Sequence, residues 1–232
     1  MLYWPPVESL VVLCHPERDS FNRAVADRAC AALRAAGHAV RFHDLYSEHF
    51  DPVLTVSELR RGYSFDAQVQ AHGNELESCG GLVFVHPEWW GAPPAVLKGW
   101  IDRVFRPGLA YEFEGDEFGA KRKRGLLASK RALVFATTEA RESEVTGEGR
   151  APLEIFWRES VFGYCGLAAS RVHLLYCLRE RSAVERSAWL DFVAEATTAW
   201  FGAVCPPRNR EMPSKPSNPV TAISADDPFA MT

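Results

Sequence analysis

Short, wholly apolar runs alternate along this chain with longer stretches in which apolar residues recur every third or fourth position. Residues 10–14 read as a buried strand. Phe21, Val25, Ala29 and Leu33 follow at four-residue spacing, with Gly37 placed to end a helix. The pattern predicts a helix over 21–36 with one buried face. A second strand is expected over 39–42. Residues 82–86 form a third run, wholly apolar up to its closing histidine, as a central parallel strand requires. A helix over 94–105 begins at Pro94, a residue favoured in a first turn. Beyond it the pattern predicts a strand over 132–137, a helix over 152–162, a short strand over 171–176 and an amphipathic helix over 183–200. Strand and helix alternating through right-handed crossovers give an open five-stranded parallel α/β sheet with helices on both faces.

Composition narrows this picture. The chain has 232 residues, 47% of them apolar and 24% charged, which is ordinary globular composition with room for one sizeable core. The net charge of −4 gives no reason to expect nucleic acid or an anionic membrane as partner. The basic run 121–124 sits between turn residues and reads as a solvated loop. Six cysteines show no zinc or redox spacing, so they are expected as small core residues of a cytoplasmic protein. The N-terminus lacks a signal-peptide pattern, and no apolar run reaches membrane-spanning length. Residues 1–201 are expected as one domain. Residues 202–232 hold six of the fifteen prolines without periodicity and are expected as a tail.

Candidate chemistry sits where strands end. The first strand runs into Cys14-His-Pro-Glu-Arg-Asp-Ser-Phe-Asn22 and then directly into a helix. Ser20 is at N-cap distance, and the backbone amides of Phe21 and Asn22 open the helix, with His15 and Arg18 as further donors. Such a helix start attracts an anion, though a plain capping turn has the same residues. The third strand ends in His86-Pro-Glu-Trp-Trp-Gly91, two prolines and a helix. Two tryptophans on a stiff loop either lie against something flat or plug the core beneath. His38, His43 and His49 lack metal-ligand spacing, so no metal is expected.

Taken in order, HPERDSFNRAVADRACAALRAAGH, then Asp44-Leu-Tyr46, then Pro87-x-x-Trp90, Pro94-Ala, Leu97-Lys-Gly-Trp100 and Arg103-Val-Phe105 resemble the NAD(P)H:quinone oxidoreductases, the family of mammalian quinone reductase and its bacterial relatives. The likeness spans roughly residues 8 to 201. It implies a flavodoxin-like fold, a bound flavin (FAD, with FMN as the alternative) and NAD(P)H as co-substrate. Hydride would pass from NAD(P)H to the flavin N5 and then to a quinone-like or other small aromatic acceptor, in ping-pong order. It also implies a homodimer with the active site at the interface.

Carried onto this sequence, the resemblance places flavin phosphates at His15, Arg18, Ser20, Phe21 and Asn22. The ring goes to Pro87, Glu88, Trp89, Trp90 and Gly91, and to Thr137, Thr138 and Glu139 at the end of the fourth strand. Tyr111, Phe113 and Tyr164 are expected around the substrate slot. The sequence departs from the mammalian pattern in three places. That pattern carries Leu-Gln where Glu88-Trp89 stand, glycines where Glu139-Ala140 stand, and a Tyr and a His in the loop that here spans residues 142–150. Glu139 either faces the ring's pyrimidine edge or points away. A regulatory flavoprotein subunit, a biosynthetic tailoring reductase and a one-electron carrier are the competing readings. The bulky aromatic loop argues against the last.

Overall fold

The structure is a computed structural model and describes residues 8–115, 121–146 and 150–202; the tail expected beyond 202 lies outside them. Its elements are, in order, β1 (Glu8–Leu13), α1 (Phe21–Ala35), β2 (Ala39–Asp44), α2 (Val56–Arg61), α3 (Ala67–Ser78), β3 (Gly81–Pro87) and α4 (Ala95–Val104). They continue with β4 (Tyr111–Gly115), β5 (Lys121–Gly125), β6 (Arg131–Thr137), α5 (Glu142–Thr146), α6 (Pro152–Ile155), β7 (Ala169–Leu175) and α7 (Ala183–Phe201). Five parallel strands form one sheet in the order β2-β1-β3-β6-β7, and β4 and β5 make a separate antiparallel hairpin. This is the flavodoxin-like order, with its reversal of direction between β1 and β3.

Both faces of the sheet are dry at its three central strands, which is why β1, β3 and β6 carry unbroken apolar runs while the edge strands β2 and β7 do not. Leu10, Val12, Leu82, Phe84, Ala132 and Val134 face a core closed by Trp100, Trp157 and Phe162. Val11, Leu13, Val83, Val85, Leu133 and Phe135 alternate onto the opposite face, against Val25, Ala29 and Leu33 of α1 and Val193 and Phe201 of α7. β3, central and buried at all seven positions, is the spine of both cores. Cys14, Cys30, Cys79, Cys165 and Cys177 are free thiols, all buried.

Several elements depart from the expected pattern. The basic run read as a loop is strand β5, paired with β4. α2, α3 and α5 are not among the expected elements, and one expected helix changes character. α3 supplies the crossover from β2 to β3. It is capped by Asp66, whose carboxylate accepts from the N–H groups of Gln68 and Val69, but His72 and Gly73 interrupt its apolar face. The helix expected over 152–162 starts as α6 and continues as a π-helical stretch, Phe156–Gly163. The wider turns let Trp157, Val161 and Phe162 all reach the core. Arg103 of α4 ties the neighbouring helices together. Its guanidinium is buried and donates to Glu58 at 2.8 and 3.1 Å, to Asp66 at 3.2 Å and to the Asp51 carbonyl at 2.6 Å. Among the described residues no helix is long and apolar enough to cross a membrane.

Candidate active site

The carboxyl ends of β1, β3, β6 and β7 open onto one cavity of about 520 Å³, within the size range of cofactor sites. It is lined by His15, Phe21, Asn22, Pro87, Glu88, Trp89, Trp90, Thr137, Thr138, Glu139, Ala140, Leu178 and Arg179. Ten of these are residues the sequence singled out. A larger hollow of about 870 Å³ between α1 and α7 is lined largely by alanines and reaches Arg131 and Gly202. It lies at the amino ends of the strands, where an open α/β sheet does not bind its ligands.

The first wall is the start of α1. Ser20 has extended backbone angles and its Oγ accepts from Arg23 N at 3.2 Å. Among the described residues the backbone N–H groups of Phe21 and Asn22 have no hydrogen-bond acceptor, so two donors and the positive end of a fifteen-residue helix face the cavity mouth. Asn22 is 1% exposed. Its amide nitrogen donates to Thr137 Oγ1 at 2.8 Å, joining the start of α1 to the end of β6, and among the described residues its Oδ1 has no partner. A buried orphan carbonyl at a cavity wall is costly and suits a bound molecule carrying donors. Ser20 is thus a cap, and it stands with Arg18 and Gly91 outside the cavity lining.

The second wall is held by a buried histidine. Trp157 Nε1–H donates to His86 Nε2 at 3.0 Å, so the His86 proton is on Nδ1, where it donates to the Pro87 carbonyl at 2.8 Å. Burial pushes the His86 pKa down to about 4, and the ring stays neutral. It fixes the strand end from which the aromatic loop departs. Trp89 is 43% and Trp90 103% exposed, so neither plugs the core. Trp90 also has φ +57° and Gly91 φ +73°. A tryptophan in the left-handed region is strained by about 1 kcal/mol or more. Most amides of this loop bond inward: Glu88 N–H to Thr137 O at 2.7 Å, Trp89 N–H to Ala92 O at 2.9 Å, Ala92 N–H to Trp89 O at 3.1 Å, and Gly91 N–H to Glu88 Oε1. Among the described residues Trp90 N–H alone of these has no acceptor.

The third wall joins β6 to β7. Thr138 N–H donates to Leu175 O at 3.0 Å, and Leu178 N–H to Thr138 O at 3.2 Å. Glu139 is engaged by another lining residue: its Oε2 accepts from Arg179 N at 3.0 Å, and Oε1 lies 3.5 Å from Arg179 Nε. Leu178 and Arg179 were missed in the sequence because they follow a strand whose end carries no motif. Their only signal is position, just past the carboxyl end of a strand.

Tyr111, Phe113 and Tyr164 form an aromatic cluster of their own, with ring centroids 5.8 and 4.9 Å from Tyr111, and Lys123 Nζ 4.0 Å above the Tyr164 ring. The cluster is outside the lining of this chain's cavity.

The structure also gathers what the sequence had scattered: His43, His72 and Glu48 place ligand-type atoms within 4.8 Å of one another. They do not fit a metal ion. Trp100 Nε1–H donates to His72 Nδ1 at 2.9 Å, which leaves the His72 proton on Nε2 facing Glu48 Oε2 at 3.4 Å, where an ion would have to sit. His43 lies between the carboxylates of Glu48 and Glu75. Burial works against its charged form, but the two carboxylates outweigh it and raise its pKa. The same contacts pull Glu48 down to about 2 against its own burial.

A doubly wound sheet with an anion-ready helix start at the switch point and an aromatic lip opposite defines an α/β nucleotide-cofactor-binding protein of flavodoxin-like architecture. The chain belongs to the flavodoxin-like fold family, whose profile matches residues 8–198. It is 29% identical over 199 residues to an uncharacterized NAD(P)H oxidoreductase of Haemophilus influenzae, covering 84% of this chain and 96% of that one. It is 27% identical over 191 residues to NAD(P)H dehydrogenase (quinone) 1 of Cavia porcellus, covering 72% and 68%. Among solved structures, an NAD(P)H:quinone oxidoreductase from Methanothermobacter marburgensis superposes with a TM-score of 0.67 at 25% identity, covering 83% of this chain and 96% of that one.

Proposed function

We propose that this chain is a flavin-dependent NAD(P)H oxidoreductase that reduces a quinone-like or other small aromatic acceptor by two electrons. The carrying observation is Trp90, held fully exposed in a strained left-handed turn across one cavity from the open start of α1. A soluble domain gains nothing from that arrangement unless a flat ligand covers the indole. The flavin, when bound, supplies the hydride chemistry. The chain supplies the rest. The N–H groups of Phe21 and Asn22, with His15 and Arg18 nearby, take the phosphates. Trp89 and Trp90 support the ring, and Trp90 N–H and the Thr137–Thr138 turn meet its edge. We take FAD as the bound form, on the likeness of the first turn to the mammalian pattern, with FMN as the alternative. NAD(P)H and acceptor use the same open slot in turn.

The active form we propose is a cytoplasmic homodimer. Val53, Val56, Leu59 and Phe65 around α2, and Phe113 on the hairpin, are more than half exposed. An apolar patch of that kind calls for cover, and a second copy would bring Tyr111 and Phe113 to its partner's cavity. Sedimentation velocity tests the dimer. Cofactor release with chromatography, followed by NADPH consumption with menadione in parallel-line initial-rate analysis, tests the activity. Protein that takes up neither FAD nor FMN refutes it.

A further inference from the structure

Glu88 stands where the loop after β3 meets the turn after β6, and its carboxylate spans the two. Oε1 accepts the backbone N–H of Gly91, and Oε2 accepts the Thr138 hydroxyl at 2.8 Å. Its own N–H donates to the Thr137 carbonyl at 2.7 Å. Trp90 therefore lies inside a ring closed by the Glu88 side chain, and its left-handed backbone is held from both flanks. Through Asn22 and Thr137 Oγ1 the same network reaches the start of α1. Each carboxylate oxygen has two acceptor positions, and each makes one of these bonds. The residue is half-buried and lines the cavity, so a negative charge with acceptor capacity to spare faces the site.

We infer that Glu88 is a positioning residue with two effects, resting on the functional reading above. It clamps the aromatic loop to the Thr137–Thr138 turn so that Trp90 is presented ready to stack. It also sets a fixed anion beside the flavin ring, which opposes negative charge on the reduced ring and lowers the reduction potential. Glu139, whose orientation the sequence left open, is paired with Arg179.

Two variants test the two effects separately. Glu88→Gln removes the charge and keeps a side chain of the same shape. Glu88→Ala removes the clamp. Flavin affinity, measured by fluorescence titration, is expected to stay near wild type in Glu88→Gln and to weaken about tenfold in Glu88→Ala. In Glu88→Gln the reduced flavin gains about tenfold over the oxidised flavin in relative affinity. For a two-electron couple this is a midpoint about 30 mV more positive, read by equilibration with a reference dye. Urea unfolding of the apo-proteins checks the fold, and if Glu88→Ala does not fold, Glu88→Gln carries the test alone. A wild-type midpoint in Glu88→Gln overturns the electrostatic effect, and wild-type affinity in Glu88→Ala overturns the clamp. Wild-type protein that binds neither FAD nor FMN overturns the functional reading and this inference with it. Wild-type uptake with unaltered variants overturns this inference only.

Discussion

Replacing Trp90 by alanine isolates what the aromatic lip contributes. The indole is fully exposed, so its removal takes no packing from the apo-protein. Whatever is lost belongs to the bound ligand. A tryptophan side chain offers roughly 150–250 Å². Covering one face removes about 80 Å² from water, worth about 2 kcal/mol at about 25 cal/mol per Å². The flavin dissociation constant should therefore rise roughly thirtyfold, while the urea midpoint of the apo-protein stays within error of wild type. Trp90→Gly serves as a control, because glycine accepts φ +57° without penalty. It should lose as much flavin affinity as alanine while making the apo-protein up to about 1 kcal/mol more stable than Trp90→Ala. Tyr111→Ala should leave flavin retention unchanged. Equal retention in Trp90→Ala and wild type refutes the stacking argument. A drop in apo stability matching the loss of affinity shows that the indole packs against the protein instead.

Three further outcomes follow from groups away from the ring. His86 has its pKa depressed from 6.5 to about 4. Its contribution is therefore complete above pH 6.5 and is lost as pH falls towards 4. Between about pH 7 and pH 5 it should cost about 2 kcal/mol of stability, a slope that His86→Gln abolishes in urea titrations; an unchanged slope counts against a buried neutral ring. The raised His43 pKa stabilises the fold below the ordinary histidine value and ceases to do so as pH rises through the raised one. Glu75→Gln should bring the His43 titration down when followed by NMR, and an unmoved titration rejects the ion pair. Arg103→Met leaves Glu58 and Asp66 without their buried cation, at a cost of about 3–5 kcal/mol. Adding Glu58→Gln should recover part of that loss in thermal melts, and full additivity would deny the coupling.

The central strands were legible because both faces of the sheet are buried there, and a short wholly apolar run such as 82–85 bounded by turn residues matches a fully buried strand. The anion-ready start of α1 was legible too, since Ser20, Phe21 and Asn22 sit at fixed offsets from the last strand residue. α3 escaped notice because His72 occupies a core position that apolar periodicity cannot recognise; it is acceptable there only as the acceptor for Trp100 Nε1–H. The π-helical turns of 156–163 escaped for a related reason, since 3.6-residue periodicity does not anticipate a wider register. Glu88 could be placed beside the ring by the resemblance, and named as a departure from the mammalian pattern, but its hydrogen-bond partners could not be read. One partner, Gly91 N–H, is three residues away, but the other, Thr138 Oγ–H, is brought to it only once β3 and β6 pair, fifty residues apart.

The buried sulfurs bear on how such a protein survives its own chemistry. Burial pushes the Cys14 thiol up to about 12, and the thiols of Cys30, Cys79 and Cys165 up to about 11. Oxidants and alkylating agents attack the thiolate, and at neutral pH these four side chains do not offer one. A catalyst that handles reduced flavin in air meets peroxide at close range. This fold keeps those sulfur atoms protonated and out of reach, so hydrogen peroxide or iodoacetamide should leave them unmodified until the chain unfolds.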